Sequence, residues 1–238
     1  MKRDFLPAFF LGVSLYGLAV AMLLTLYPPV ISEETTLRKP LLGLLFALIC
    51  LGGMTAALFP GPCSEKAGLK KSRTISGTGA GFARKKFGFR GHHPDCGKFS
   101  SHVFHVGNRA LCAGCTGLFI GAMINLAGTF LYFFAGFSPG NLTFLILWLG
   151  AAGVVLGLLS PLLFPPWWLA RSLANAFFAP GAFLLVVGVD DMSKSLTVGL
   201  SLLALTLFWI LNRLYLSRWS HRKICRACDD PGCDLRDF

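Results

Sequence analysis

Six stretches of the chain stay apolar for about the twenty residues that a helix needs to cross a hydrocarbon core. They cover residues 5 to 27, 41 to 60, 116 to 137, 142 to 164, 168 to 189 and 195 to 216. The first follows Lys2 and Arg3 and contains the triplet Ala19-Val20-Ala21, as a signal peptide would, but it remains apolar through Met22 to Tyr27. A cleavable signal turns polar sooner, so an uncleaved anchor is expected. The pattern divides the chain into two transmembrane helices over 1–60, a polar loop over 61–115, four helices over 116–216 and a polar tail over 217–238. The expected fold class is an all-α integral membrane protein with about six transmembrane helices and a small cytoplasmic, Cys/His-rich metal-binding cap.

The polar positions set the orientation. With six spans, the N-terminus, the long loop, the turn near 165–170 and the tail share one side. That side carries nineteen Lys and Arg: Lys2, Arg3, ten in the loop from Lys66 to Arg109, Arg171, and six from Arg213 to Arg236. Arg38, Lys39 and Lys194 make up the other side. This asymmetry predicts a multi-pass protein of the cytoplasmic membrane with both termini inside.

Composition agrees: 54% of residues are hydrophobic and 14% charged, and the mean hydropathy is +0.64, outside the range of soluble domains. The net charge of +11 does not indicate nucleic-acid binding, because the cations flank apolar segments and do not form a basic face on a soluble domain.

Within the spans, Trp167, Trp168 and Arg171 read as an interfacial belt with a snorkelling cation. Pro180-Gly181 predicts a kink. Asn125 and Asn175 are expected to make interhelical hydrogen bonds, Asp190 and Asp191 to be hydrated at a helix end, and Cys50 to be a small buried apolar side chain.

In the long loop, "SGTGAG" lacks the spacing of a phosphate-binding glycine loop and reads as a linker. Residues 82–90 then interleave Phe82, Phe87 and Phe89 with Arg84, Lys85, Lys86 and Arg90. Beside a bilayer this mixture suits anionic headgroups. The same mixture stacks on single-stranded nucleic acid elsewhere, but anchoring by spans on both sides favours the lipid surface.

Residues 91–117, "GHHPDCGKFSSHVFHVGNRALCAGCTG", carry the chemistry. His93-x2-Cys96 and Cys112-x2-Cys115 are two close pairs joined by a loop, the arrangement of a tetrahedral zinc site in which each pair holds one edge. His92 is an equivalent alternative to His93. His102 and His105 are further candidates, as outer-sphere groups or dissociable ligands. Cys63 has no paired spacing. The tail repeats the theme with His221, Cys225, Cys228 and Cys233, either as a second site or as part of a shared one. A c-type haem needs His directly after Cys-x-x-Cys, where Thr116 and Asp229 stand. Zinc is the expected metal, with a thiolate-bound iron-sulfur cluster as the alternative.

At "FHVGNRALCAGCTGLFIGA" the chain resembles a family of predicted prokaryotic integral membrane proteins of unknown function, which carry a His/Cys element followed by Cys-x-x-Cys-Thr-Gly at the start of a transmembrane helix. The matching positions are His92, His93 and Cys96, then Phe104 and Gly107, then Cys112, Cys115, Thr116, Gly117 and Gly121. Gly114 stands where that family often has arginine, and the order "HHPDC" also differs. The resemblance implies the architecture and a metal site but no reaction.

Three function classes follow. A closed four-ligand site fits a metal-stabilised scaffold or interaction protein. An open metal position fits a membrane-embedded metalloenzyme acting on a lipid-soluble or headgroup substrate. A Cys-x-x-Cys without metal fits a membrane thiol oxidoreductase.

Overall fold

A computed structural model of the chain describes residues 5–27, 36–59, 89–90, 93–94, 97–163 and 167–228. Six helices, long and apolar enough to cross a membrane, occupy most of them. They are α1 (Phe5–Leu26), α2 (Arg38–Leu58), α3 (Ala113–Thr129), α4 (Thr143–Leu163), α5 (Trp168–Ser193) and α6 (Leu196–Arg226). Large apolar side chains such as Phe5, Leu44, Ile124, Leu145 and Trp148 point outward, as a lipid-facing surface requires.

The fold is not purely helical. Before α3 lie two short antiparallel pairings: β1 (Phe89–Arg90) with β2 (His93–Pro94), and β3 (Val103–Val106) with β4 (Arg109–Cys112).

α5 is the central element, packed on α4 on one side and α3 on the other. Glycine allows both approaches. A Cβ on Gly117 would lie 2.1 Å from the Ser172 carbonyl oxygen, and one on Gly153 would lie 2.9 Å from the Gly181 Cα. Small residues at such crossings let helix backbones meet in the absence of a hydrophobic driving force. Asn125 Nδ2 donates to the Ala179 carbonyl at 2.9 Å, the interhelical bond expected of it, and Cys50 is buried as expected. α5 continues as one helix through Pro180. α1 joins through α6, where Trp209 Nε1 donates to the Ser14 carbonyl at 3.1 Å and Asn212 Nδ2 to Ser14 Oγ at 2.7 Å.

One expectation changes at the end of α5. Asp190 is not hydrated: it is fully buried and ion-paired with Arg38 of α2. Tyr132 also donates to its Oδ2 at 2.9 Å. Arg38 Nη1 donates to the Asp190 carbonyl at 3.0 Å, and the Lys194 N–H donates to the same oxygen at 3.1 Å, satisfying a helix-terminal acceptor that burial would otherwise leave unpaired. Asp191 accepts from Thr143 Oγ1 at 2.5 Å. Tyr132 sits in a π-helical turn, Phe130–Phe134, whose wider winding lets the adjacent Tyr132 and Phe133 both face inward.

The helix limits shift at two places that matter for the cap. α3 begins at Ala113, so Cys115 lies inside its first turn and not ahead of the span. α6 continues ten residues past the apolar stretch, which places His221 and Cys225 on a membrane helix and not in a separate tail. At 31 residues it is about 46 Å long, against a hydrocarbon core of about 30 Å.

Candidate functional site

The β3–β4 hairpin sets the first half of the site. Gly107, at φ +57°, opens the two-residue Gly-Asn connection, a position where hairpin turns favour glycine. The register pairs Val103 with Cys112. His102, just before β3, and Cys112, the last residue of β4, are thereby brought to one end of the hairpin, against the start of α3. Thr116 Oγ1 donates to the Cys112 carbonyl at 3.0 Å. On the same hairpin, Phe104 stacks on Trp168 with ring centres 5.2 Å apart, which pins it to the first turn of α5. Trp168 therefore holds the hairpin through one face of its ring, and both it and Trp167 remain exposed.

Three imidazoles meet there. His93 Nε2 lies 3.3 Å from Cys112 Sγ. The His93 ring stacks on Phe99 at 5.4 Å, approaches His102 at 5.4 Å and meets His221 edge-on at 4.9 Å, while His102 and His221 are 5.2 Å apart. His93 is 1% and His102 4% exposed, so the cluster is an interior and not a surface patch. Because His221 comes from α6, the loop and the end of α6 contribute to one cluster.

His102 is the most constrained member. Neither ring nitrogen has a hydrogen-bond partner among the described residues. Burial pushes its pKa down to about 3, helped by the charges of Arg171, His221 and His93 and opposed by Cys112. The imidazole is therefore neutral at physiological pH, the form that binds metals. A buried polar ring without partners is costly.

The other expected donors divide into three groups. Cys115 stands in the first turn of α3, one helical turn from Cys112. Cys225 and the buried Cys228 follow His221 by four and seven residues, and the Cys228 N–H donates to the Cys225 carbonyl at 3.2 Å. His105 is exposed on β3, opposite Ala110 and two residues further from the cluster than Val103. His92, Cys96, Cys233 and Cys63 lie outside the described residues, as does 82–88 of the basic and aromatic stretch. Among the described residues, no three or more His, Cys, Asp or Glu side chains converge as a set that would by itself hold a metal ion.

One cation borders the cluster, and a second is linked to it by charge. Arg171, in the first turn of α5, is close enough for its charge to act on both Cys112 and His102. Its Nε is shut off from solvent without a hydrogen-bond partner among the described residues, while the residue as a whole is half-buried. Arg213 of α6 donates from Nη2 to Ser160 Oγ at 3.0 Å, and its Nε is buried and unpartnered in the same way.

His102, Phe99, Arg171 and Arg213 are the members that the motif spacing does not single out. The hairpin was available as a signal, since Gly-Asn between two short β-prone runs marks a two-residue turn and hence the closeness of residues 102 and 112. Compared with protein-family models, with curated proteins and with solved structures, the chain matches none.

Proposed function

We propose that the protein is a metal-stabilised membrane scaffold or interaction protein, with one zinc or other transition-metal site in a cytoplasmic cap built from the 93–115 loop and the end of α6. The observation that carries this reading is the contact between His93 Nε2 and Cys112 Sγ at 3.3 Å. Two ligands of one tetrahedral zinc ion, at about 2.0–2.1 Å for nitrogen and about 2.3 Å for sulfur, lie roughly 3.5 Å from each other. His93 and Cys112 would hold one edge of the site, with Cys115 and Cys96 as the remaining members of the two pairs and His92 as the alternative to His93. His221, Cys225, Cys228 and Cys233 would close the cap from the α6 side. Bound metal would lock the loop to α6 by stabilising the folded state. The bias of nineteen Lys and Arg against three supports a cytoplasmic position for the cap, where thiols stay reduced. The motif resemblance to prokaryotic membrane proteins supports the same architecture.

A second reading, a membrane metalloenzyme, is favoured by one observation. His102 is buried, neutral and unpaired beside the cluster, placed to serve as a dissociable ligand or an acid-base group.

Elemental analysis of protein purified in detergent, without a metal-affinity step, tests the proposal. About one equivalent of zinc per chain is expected, and loss of that zinc in both Cys112→Ser and His221→Ala variants would confirm a single shared site. Iron in its place would move the reading to an iron-sulfur cluster. No metal, with Cys112 and Cys115 oxidising reversibly as a pair, would sink the metal reading and leave the thiol oxidoreductase in its place.

A further inference from the structure

Arg171 and Arg213 are two cations with no carboxylate close to them among the described residues, although the charge of Cys112 acts on Arg171. The described residues contain two carboxylates, Asp190 and Asp191, and both sit at the far end of α5, about 28 Å along the helix from Arg171 at 1.5 Å per residue. The charge of Arg171 acts on Arg213, so the pair repel each other. Each also keeps an Nε–H that is buried and unpartnered among the described residues. Guanidinium groups arranged in this way are suited to a planar or tetrahedral oxyanion, which accepts several parallel N–H donors.

Depth narrows the ligand. The first twenty residues of α6 cross the hydrocarbon core, which puts Arg213 in the last turn of the crossing. Arg171 is in the first turn of α5, the antiparallel neighbour of α6, and the exposed Trp167 marks the interfacial level beside it. Both arginines thus lie near the boundary between hydrocarbon core and headgroups, from which a long side chain reaches the level of lipid phosphates. Ser160, near the end of α4, holds Arg213 in place by accepting its hydrogen bond while donating its own proton to the Gly157 carbonyl at 2.9 Å.

We infer that Arg171 and Arg213, the latter positioned by Ser160, form a binding site for a phosphoryl group at the headgroup boundary. The site rests on the arginine pair and goes beyond the metal reading. A thiolate at Cys112 would balance at most one of the two cations. The phosphoryl group belongs either to an anionic lipid or to a soluble phosphate ester.

Thermal unfolding of the full chain in neutral detergent tests this. Four additions are compared: phosphatidylglycerol, diacylglycerol, sodium phosphate, and sodium chloride at matched ionic strength. The expected result is a rise in Tm with phosphatidylglycerol and none with diacylglycerol or chloride, and an apparent affinity at least tenfold weaker in R171Q/R213Q. A rise with phosphatidylglycerol alone identifies a lipid headgroup. A rise with sodium phosphate as well identifies a soluble phosphate ester. If R171Q/R213Q does not fold, R171K/R213K replaces it; it keeps the charge but loses the forked geometry, and a weakened response is again expected. No response of the parent protein to either phosphate source, or an equal response in the variants, overturns the site. Metal content is measured on the same samples. Variants that lose metal while their phosphate response is unchanged would show that the arginines serve the thiolates, which overturns this inference alone. A parent that responds to phosphate but holds no metal overturns the metal reading alone.

Discussion

The two ends of the helix bundle handle buried charge in opposite ways. At one end, Asp190 is fully enclosed, yet Arg38 and Tyr132 answer its carboxylate and Arg38 and Lys194 answer its carbonyl. At the other, Arg171 and Arg213 each retain a buried, unpartnered Nε–H, and His102 retains two unpaired ring nitrogens among the described residues. Both ends are built from the same helices under the same cost for burying polar groups, so the contrast reflects role. A saturated network fixes the helices in place, whereas an unsaturated one is prepared for something that arrives from outside the described chain.

If that division is right, the saturated end should be the more sensitive to loss of a single partner. Asp190→Asn leaves Arg38 without its counter-charge, and removing one member of a buried pair typically costs about 3–5 kcal/mol. The expected outcome is a fall in Tm larger than that of any other single substitution named below, partly recovered in Arg38→Met/Asp190→Leu. Tyr132→Phe removes one hydrogen bond to a buried charge and should cost about 1.5–3 kcal/mol, read by the same unfolding measurement. The metal content should be unchanged, since the site is at the opposite end. Gly117→Ala places a methyl group against the Ser172 carbonyl, an overpacking expected to cost about 1–3 kcal/mol. It should also lower metal occupancy, because separating α3 from α5 moves Cys112 and Cys115.

The unsaturated end should respond instead to its environment. In chelator-treated protein, His102 stays neutral in the fold while the unfolded chain gains a proton below about pH 6.5. Its contribution to stability is fully present above that pH and is lost as pH falls toward the native value of about 3. The expected loss is up to about 1.4 kcal/mol per pH unit in that window, seen as faster hydrogen exchange in the 99–112 segment at pH 5 than at pH 7 after correction for intrinsic rates. A slope that survives in His102→Phe would contradict the assignment. The smallest effect belongs to His105→Ala, which should stay within about 0.5 kcal/mol of the parent with metal content intact. A loss of metal there would mean that the hairpin presents the wrong histidine.

The same contrast marks what could be read from the sequence. The six spans were legible because lipid-facing and core-facing residues are both apolar, so hydropathy alone finds them. The spacing of the Cys and His pairs raised a metal hypothesis but could not say whether the loop and the end of α6 meet; the contacts of His221 with His93 and His102 show that they do. Asp190 was misread because Arg38 lies 152 positions away, beyond any local pattern. α6 was read ten residues short because Ser217 to Arg226 are polar. They remain helical because Arg, Lys and Ser tolerate helix well and Lys223 and Arg226 face the negative end of the dipole. Arg171 and Arg213 looked like charges that orient the chain, since burial of a cation leaves no mark in composition.

α6 is made after the other five described helices, and two separate parts of the chain wait for it. α1 obtains its hydrogen-bonded partners only when Trp209 and Asn212 arrive, 195 and 198 residues after Ser14. The 93–112 segment gains His221 only when the same helix is complete. A chain synthesised only as far as α5 holds neither contact, so both depend on the last of the described helices.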